Sequence, residues 1–214
     1  LTLPLYGTIL TNVEVDHLEF YGTEAAIADG FDRYLAQIAG PKVVCIDDPG
    51  AAALAGRHQV VTYGTSSTAE FQAVDLAPAG GAFQFDVRHH GELLGTVSLP
   101  LRGIHNVRNA TGAIAMAVSV GVPFQVAAAA LAKFGGVARR FDIRGVDDGV
   151  TLVDDYGHLP SEIAAVLSAA RSSGDAWQRV VVVFQPNRFN RIAAMWQDYA
   201  SAFVDADLVV LTEI

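Results

Sequence analysis

At 214 residues, 51% hydrophobic and 17% charged, the chain is long enough to bury one or two cores, and no apolar run approaches the roughly 18 residues of a membrane span. Fourteen basic against 23 acidic residues leave a formal net charge of -9, which argues against a nucleic-acid surface, because phosphate backbones demand a basic patch. A single cysteine, Cys45, excludes an intrachain disulfide and fits a reducing cytoplasm.

The opening stretch, LTLPLYGTIL, lacks the basic region and small-residue cleavage site of a signal peptide. Residues 9–13 read as a short buried strand ending in a polar turn. A helix follows, with Thr23 as its N-cap and Gly40 as its stop; Ala26, Ile27, Phe31, Tyr34, Leu35 and Ile38 repeat at helical spacing. Lys42–Ile46 is a continuous apolar strand. Asp48–Ala55 is a short helix, and QVVTYG another strand. The texture then alternates between residues 70 and 103, broken by glycine and proline, which predicts three strands of a small antiparallel sheet.

From Asn106 the pattern is helical again, and a second helix starts near Pro123. GGVARRF (135–141) reads as a hinge, since two glycines end a helix and loosen the joint. Beyond it, GVTLVDD, RVVVVFQ and DLVVLTEI are strands alternating with helices over 160–174 and 188–206, which predicts a parallel sheet. Both ends of the chain look cut.

Ligands of open parallel sheets gather at the carboxyl ends of strands. Asp154, Asp155 and Tyr156 follow one predicted strand; Gln185, Pro186, Asn187, Arg188 and Arg191 follow the next. If those strands are neighbours, acids that can hold ribose hydroxyls share a rim with arginines that can hold phosphate or carboxylate. The alternative is a surface salt-bridge cluster of little energetic worth. His17, beside Asp16 and Glu14, offers a nitrogen and carboxylates to a divalent cation, or is an ordinary turn histidine. Asn106 and Asn109 present two amides on one helix face, suited to an adenine edge, although Asn106 alone also fits a helix cap. Arg139 and Arg140 lie in the hinge, either poised to reach a phosphate or simply solvated. His58, His89 and His90 read as surface or strand-end residues, Cys45 as core, and Ser66 and Ser67 show no nucleophile pattern.

Taken in order, TNVEVDH, GIHNVRNA, GVARRF, DDYGHLP and FQPNRF resemble the Mur ligase family over nearly the whole chain, and the last two motifs resemble its alanine-adding branch. The resemblance implies an α/β protein: a partial ATP-binding central domain (1–136) carrying a small antiparallel sheet, then the first half of a Rossmann-like C-terminal domain (137–214). It further implies that a UDP-sugar domain and a Gly-Lys-Thr or Gly-Lys-Ser phosphate loop belong to a longer parent; no such triplet occurs in these residues. The implied reaction is ATP-dependent amide formation between UDP-N-acetylmuramate and L-alanine through an acyl phosphate, in cytoplasmic peptidoglycan synthesis. Alternatives are a ligase that recycles a murein tripeptide and a non-catalytic nucleotide-binding module.

By the same resemblance His17 holds Mg2+. His105, Asn106 and Asn109 lie near the adenine, and Arg140 near the nucleotide phosphates. Asp155 and Tyr156 lie by the ATP ribose, and His158, Arg188 and Arg191 face the amino-acid and acyl-phosphate site. The picture expects these segments to converge on the triphosphate and its cation. Two positions depart from the family pattern: Leu159 follows His158 where a second histidine is common, and Asn187 precedes Arg188 where a histidine is common.

Overall fold

The computed structural model of the chain describes residues 5–172, 174 and 177–213. Strand β1 (Thr8–Leu10) is shorter than the sequence predicts. Beyond Leu10 the polar side chains turn to one another: Thr11 donates to Asn12, and Asn12 to Glu14. Helix α1 (Leu18–Tyr21) is a single turn. Helix α2 (Glu24–Ala36) starts where expected, with the Thr23 hydroxyl accepting the Ala26 N–H. It stops at Ala36, short of Gly40. Gly40 serves a different purpose: a Cβ there would lie 2.4 Å from the Tyr6 carbonyl oxygen, so only glycine allows that close approach.

Strand β2 (Lys42–Cys45), helix α3 (Pro49–Ala55) and strand β3 (Val61–Gly64) follow the predicted order. Asp48 caps α3 through the Ala51 N–H, with Pro49 in the first turn. Strands β4 (Phe71–Pro78), β5 (Phe83–His89) and β6 (Glu92–Leu99) match the alternating stretch. They extend the parallel strands rather than standing apart: one six-stranded sheet runs β1-β2-β3-β4-β5-β6, parallel from β1 through β4. Ala79 and Ala82 exchange backbone hydrogen bonds at one end of β4–β5, and His90 N–H donates to the Glu70 carbonyl at the other, so that pair is antiparallel. The two-residue turn His90–Gly91, with φ of 49° and 85°, reverses the chain into β6.

Helices α4 (Ile104–Ser119) and α5 (Phe124–Leu131) come next. Val43, Val44, Tyr63, Phe71, Val87, Val97, Val107 and Ile114 are fully enclosed. Leu10, Leu35, Val44, Ala51 and Leu54 form a cluster around α2 and α3.

The chain divides into two compact units. The first comprises the residues through Ala77, Gln84–Leu99 and Asn106–Lys133; the second comprises Pro78–Phe83, Pro100–His105 and the chain from Phe134 onward. In the second unit, β7 (Asp142–Asp147) and β8 (Val150–Asp154) form an antiparallel hairpin. Asp148 and Gly149, at φ of 45° and 78°, make its turn. Helix α6 (Pro160–Ser172), β9 (Val181–Phe184), helix α7 (Phe189–Ala202) and β10 (Leu208–Leu211) complete it, with β9 and β10 parallel. Ile163, Leu167, Phe184, Tyr199 and Ala202 form its core. Ser173, within the predicted helix, and Ile214, the end of the last predicted strand, lie outside the described residues.

The expectation that β8 and β9 are bonded neighbours in one parallel sheet is not met. Among the described residues, β8 pairs with β7 and β9 with β10, in separate two-stranded sheets. The local Asp-Gly turn gives β8 an antiparallel partner that the helix–strand alternation did not reveal. Val150–Val153 and Val181–Phe184 instead line a common cavity of about 1300 Å³.

Candidate functional site

The most tightly bonded acid of the first unit is one the sequence did not mark. Asp47 follows β2, and its side chain is only 5% exposed. Its carboxylate accepts the Thr65 N–H (2.7 Å), the Thr65 hydroxyl (2.7 Å), the Ser66 N–H (3.0 Å) and Arg108 Nε (2.8 Å). Burial pushes its pKa up, but the Thr65 and Ser66 donors and the Arg108 guanidinium outweigh burial and hold the carboxyl below its ordinary value. Gly64 makes room for it, since a Cβ there would sit 2.4 Å from Asp47 Oδ1. Asp47 thus ties the ends of β2 and β3 to α4, the helix that carries the paired amides.

On α4, Asn106 is half-buried and Asn109 exposed. The helix begins at Ile104, so Asn106 is its third residue and not its N-cap. Gly103, at φ +84°, turns the chain into α4; a Cβ there would lie 2.6 Å from the His105 ring and 2.8 Å from Ala169 Cβ.

His17 sits in a left-handed turn (φ 55°, ψ 36°) before α1. Its N–H donates to Asp16, and its ring lies 3.4 Å from Asp16 Oδ2 and 3.5 Å from Glu19 Oε1. Glu14 accepts a hydrogen bond from the Asn12 amide at 2.6 Å. The loop is tethered by Asp48, which accepts the Val13 N–H at 3.0 Å as well as capping α3.

In the second unit the two acids at the end of β8 divide their work, Asp154 closing the strand and Asp155 following it. Asp154 faces Arg139 at 3.6 Å. Asp155 accepts the Phe141 N–H (2.8 Å) on one oxygen and the Gly157 N–H (2.6 Å) on the other, bracing the hinge against the end of β8. Arg139 and Arg140 flank the Tyr156 ring, with guanidinium carbons 4.9 and 5.7 Å from its centroid. Arg140 also reaches Glu162 at 3.3 Å.

Glu162, which the motif reading passed over, organises the start of α6. It accepts the His158 and Leu159 N–H groups at 2.9 and 3.1 Å. Burial raises its pKa, while those N–H groups, His158 and Arg140 more than offset burial and leave it lowered. The His158 ring meets the Tyr156 carbonyl at 3.1 Å, and the His158 carbonyl accepts from Tyr199.

Arg188, at φ 66°, caps α7 and is exposed, whereas Arg191 on α7 is buried and bonds the Asn187 carbonyl. The cavity collects Arg139, Asp155, Tyr156, His158 and Asn187. Arg140, Arg188 and Arg191 are not among its lining residues. The motifs therefore meet in part: the acid, aromatic and histidine of DDYGHLP share a wall with Asn187 of FQPNRF.

These features define an α/β protein whose second unit places an acid, an aromatic and a histidine around a cavity at the end of β8. A family model described as the Mur ligase middle domain matches residues 2–117, and one described as the Mur ligase, glutamate ligase domain matches residues 139–213. The chain belongs to the Mur ligase family. A UDP-N-acetylmuramate–L-alanine ligase of Geobacter sp. (strain M21) is 40% identical over 210 residues, covering 96% of this chain and 45% of the relative. One of Solidesulfovibrio magneticus is 44% identical over 218 residues, covering 100% and 47%. The solved UDP-N-acetylmuramate-alanine ligase of Thermotoga maritima aligns with a TM-score of 0.79 at 29% identity, over 97% of this chain and 46% of that one. A murein peptide ligase of Psychrobacter arcticus aligns with a TM-score of 0.62 at 25% identity, over 96% and 43%. The chain spans about half the length of the curated relatives it matches.

Proposed function

We propose that this chain is part of a cytoplasmic, ATP-dependent ligase that joins L-alanine to UDP-N-acetylmuramate in peptidoglycan synthesis. Residues 1–136 would belong to its ATP-binding central domain and 137–214 to its C-terminal domain. The observation that carries the reading is 40–44% identity to ligases of that name over almost the whole chain.

The γ-phosphoryl group of ATP passes to a carboxylate oxygen of the muramate, and ADP leaves. The alanine amine attacks the acyl carbon, the C–O bond to phosphate breaks, phosphate departs and the amine gives up a proton. Protein groups in such chemistry position the reactants and offset anionic charge. We assign Asn106 and Asn109, with His105, to the adenine; their amides offer both a donor and an acceptor. We assign Arg140 to the phosphates and Tyr156 with Asp155 to the ribose. Each Asp155 oxygen accepts one backbone N–H, which leaves each a further lone pair for a hydroxyl. His158, Arg188 and Arg191 are assigned to the amino-acid and acyl-phosphate side.

His17 is assigned to Mg2+. The nearby Asp16 and Glu19 carboxylates fit a hard cation that takes oxygen donors and shares its shell with phosphates. When bound, the cation supplies positive charge against the phosphate oxygens.

The test supplies the full-length protein with UDP-N-acetylmuramate, ATP, Mg2+ and labelled alanine. The reading expects label in the nucleotide sugar and one phosphate released per alanine joined. No incorporation of alanine, with turnover of a preformed murein tripeptide, would overturn the alanine assignment.

A further inference from the structure

Glu70, His89 and His90 are not among the residues assigned above. Glu70 immediately precedes β4, His89 ends β5, and His90 opens the turn into β6. The His90 N–H bonds the Glu70 carbonyl at 2.9 Å, so the residues are neighbours across the strand pair. Each offers one ligand atom, and the three atoms lie within 4.8 Å of one another. No three-ligand group forms around His17 among the described residues.

Each side chain has a neighbour that orients it. The His89 ring stacks on buried Phe71, with centroids 4.1 Å apart and planes 21° apart. The His90 ring lies 4.3 Å from it. The Thr62 N–H reaches Glu70 Oε1 at 3.3 Å, while Oε2 lies 3.8 Å from His90 Nε2. Donors at zinc-type bond lengths of roughly 2.0–2.1 Å sit about 3.4 Å apart around a tetrahedral ion. Closing from the observed spacing asks for a small adjustment, and the 65%-exposed His90 side chain has room to make it.

We propose that Glu70, His89 and His90 form a binding site for a borderline divalent transition ion of the Zn2+ class, with a fourth position open to water. Two imidazoles and one carboxylate are donors such ions take, whereas Mg2+ prefers an all-oxygen shell. The site is separate from the Mg2+ assigned to His17.

The full-length protein is stripped with a chelator and titrated with Co2+ in excess Mg2+, which occupies oxygen-rich sites. The expected result is saturation at one Co2+ per chain, with the visible bands of four-coordinate cobalt, displaced by Zn2+. His89→Ala with His90→Ala should abolish the bands and weaken Zn2+ binding beyond the ~10–100-fold that loss of a supporting residue costs. His90→Ala alone, an exposed turn substitution, should weaken the bands with an unchanged circular dichroism spectrum, and His17→Ala should leave them intact. Absence of saturable binding, bands that survive the double substitution, or bands lost in His17→Ala would each overturn the proposal.

Discussion

Replacing Asp47 by alanine tests whether this acid fastens the two strand ends to α4. The substitution removes the acceptor for the Thr65 and Ser66 N–H groups and the partner of Arg108. An orphaned buried donor costs about 1–3 kcal/mol, and breaking a buried ion pair costs about 3–5 kcal/mol. The two figures overlap, and Arg108, 37% exposed, can recover water. The expected loss is therefore about 3–4 kcal/mol. With a urea slope of roughly 2 kcal/mol per molar, the midpoint should fall by about 1.5–2 M. Urea titration followed by far-ultraviolet circular dichroism reads the shift, and hydrogen exchange should show faster exchange at Thr65 and Ser66. The pH dependence has a definite sign. The folded pKa lies below the ordinary carboxylate value, so this stabilisation is present above the unfolded pKa and is lost as pH falls through the folded one. Asp47→Ala should lack that part of the acid sensitivity. A midpoint shift under about 0.5 M, with Thr65 and Ser66 protected as before, would refute the reasoning.

Two further substitutions probe other junctions. Glu162→Ala should cost about 1–2 kcal/mol by uncapping α6. Exchange should quicken at His158 and Leu159, and the acid sensitivity should have the same sign as for Asp47, since Glu162 is also lowered. Gly112→Ala should cost about 1–3 kcal/mol in the same urea assay, because its Cβ would lie 2.7 Å from Tyr63 Cζ. Adding Tyr63→Phe should not rescue it, since the ring carbons, not the hydroxyl, make the closest approach.

Much of the fold was legible because its signals are local. Thr23 and Asp48 cap the helices they precede, and KVVC is a strand wholly enclosed on its apolar residues. What failed was non-local or weakly patterned. Strand β7 went unread because most of it is exposed and its register shifts between Ile143 and Gly145, although Asp148-Gly149 is a hairpin signal. Asp47 was missed because its partners lie 18, 19 and 61 residues away, and nothing in the local pattern joins them. The same adjacency of two acids after a strand that drew attention at Asp154–Asp155 also occurs at Asp47–Asp48. Asp155 in one pair, and both acids in the other, accept backbone N–H groups near a strand end.

The proposed activity of the intact protein is amide formation by way of a phosphorylated carboxylate. The most direct measurement supplies the full-length protein with UDP-N-acetylmuramate carrying ¹⁸O in its lactyl carboxylate, together with ATP, Mg2+ and alanine, and examines the released phosphate by mass spectrometry. An acyl phosphate hands its bridging oxygen to phosphorus, so each phosphate should carry one ¹⁸O from a fully labelled carboxylate. Amide formation with unlabelled phosphate would contradict the account.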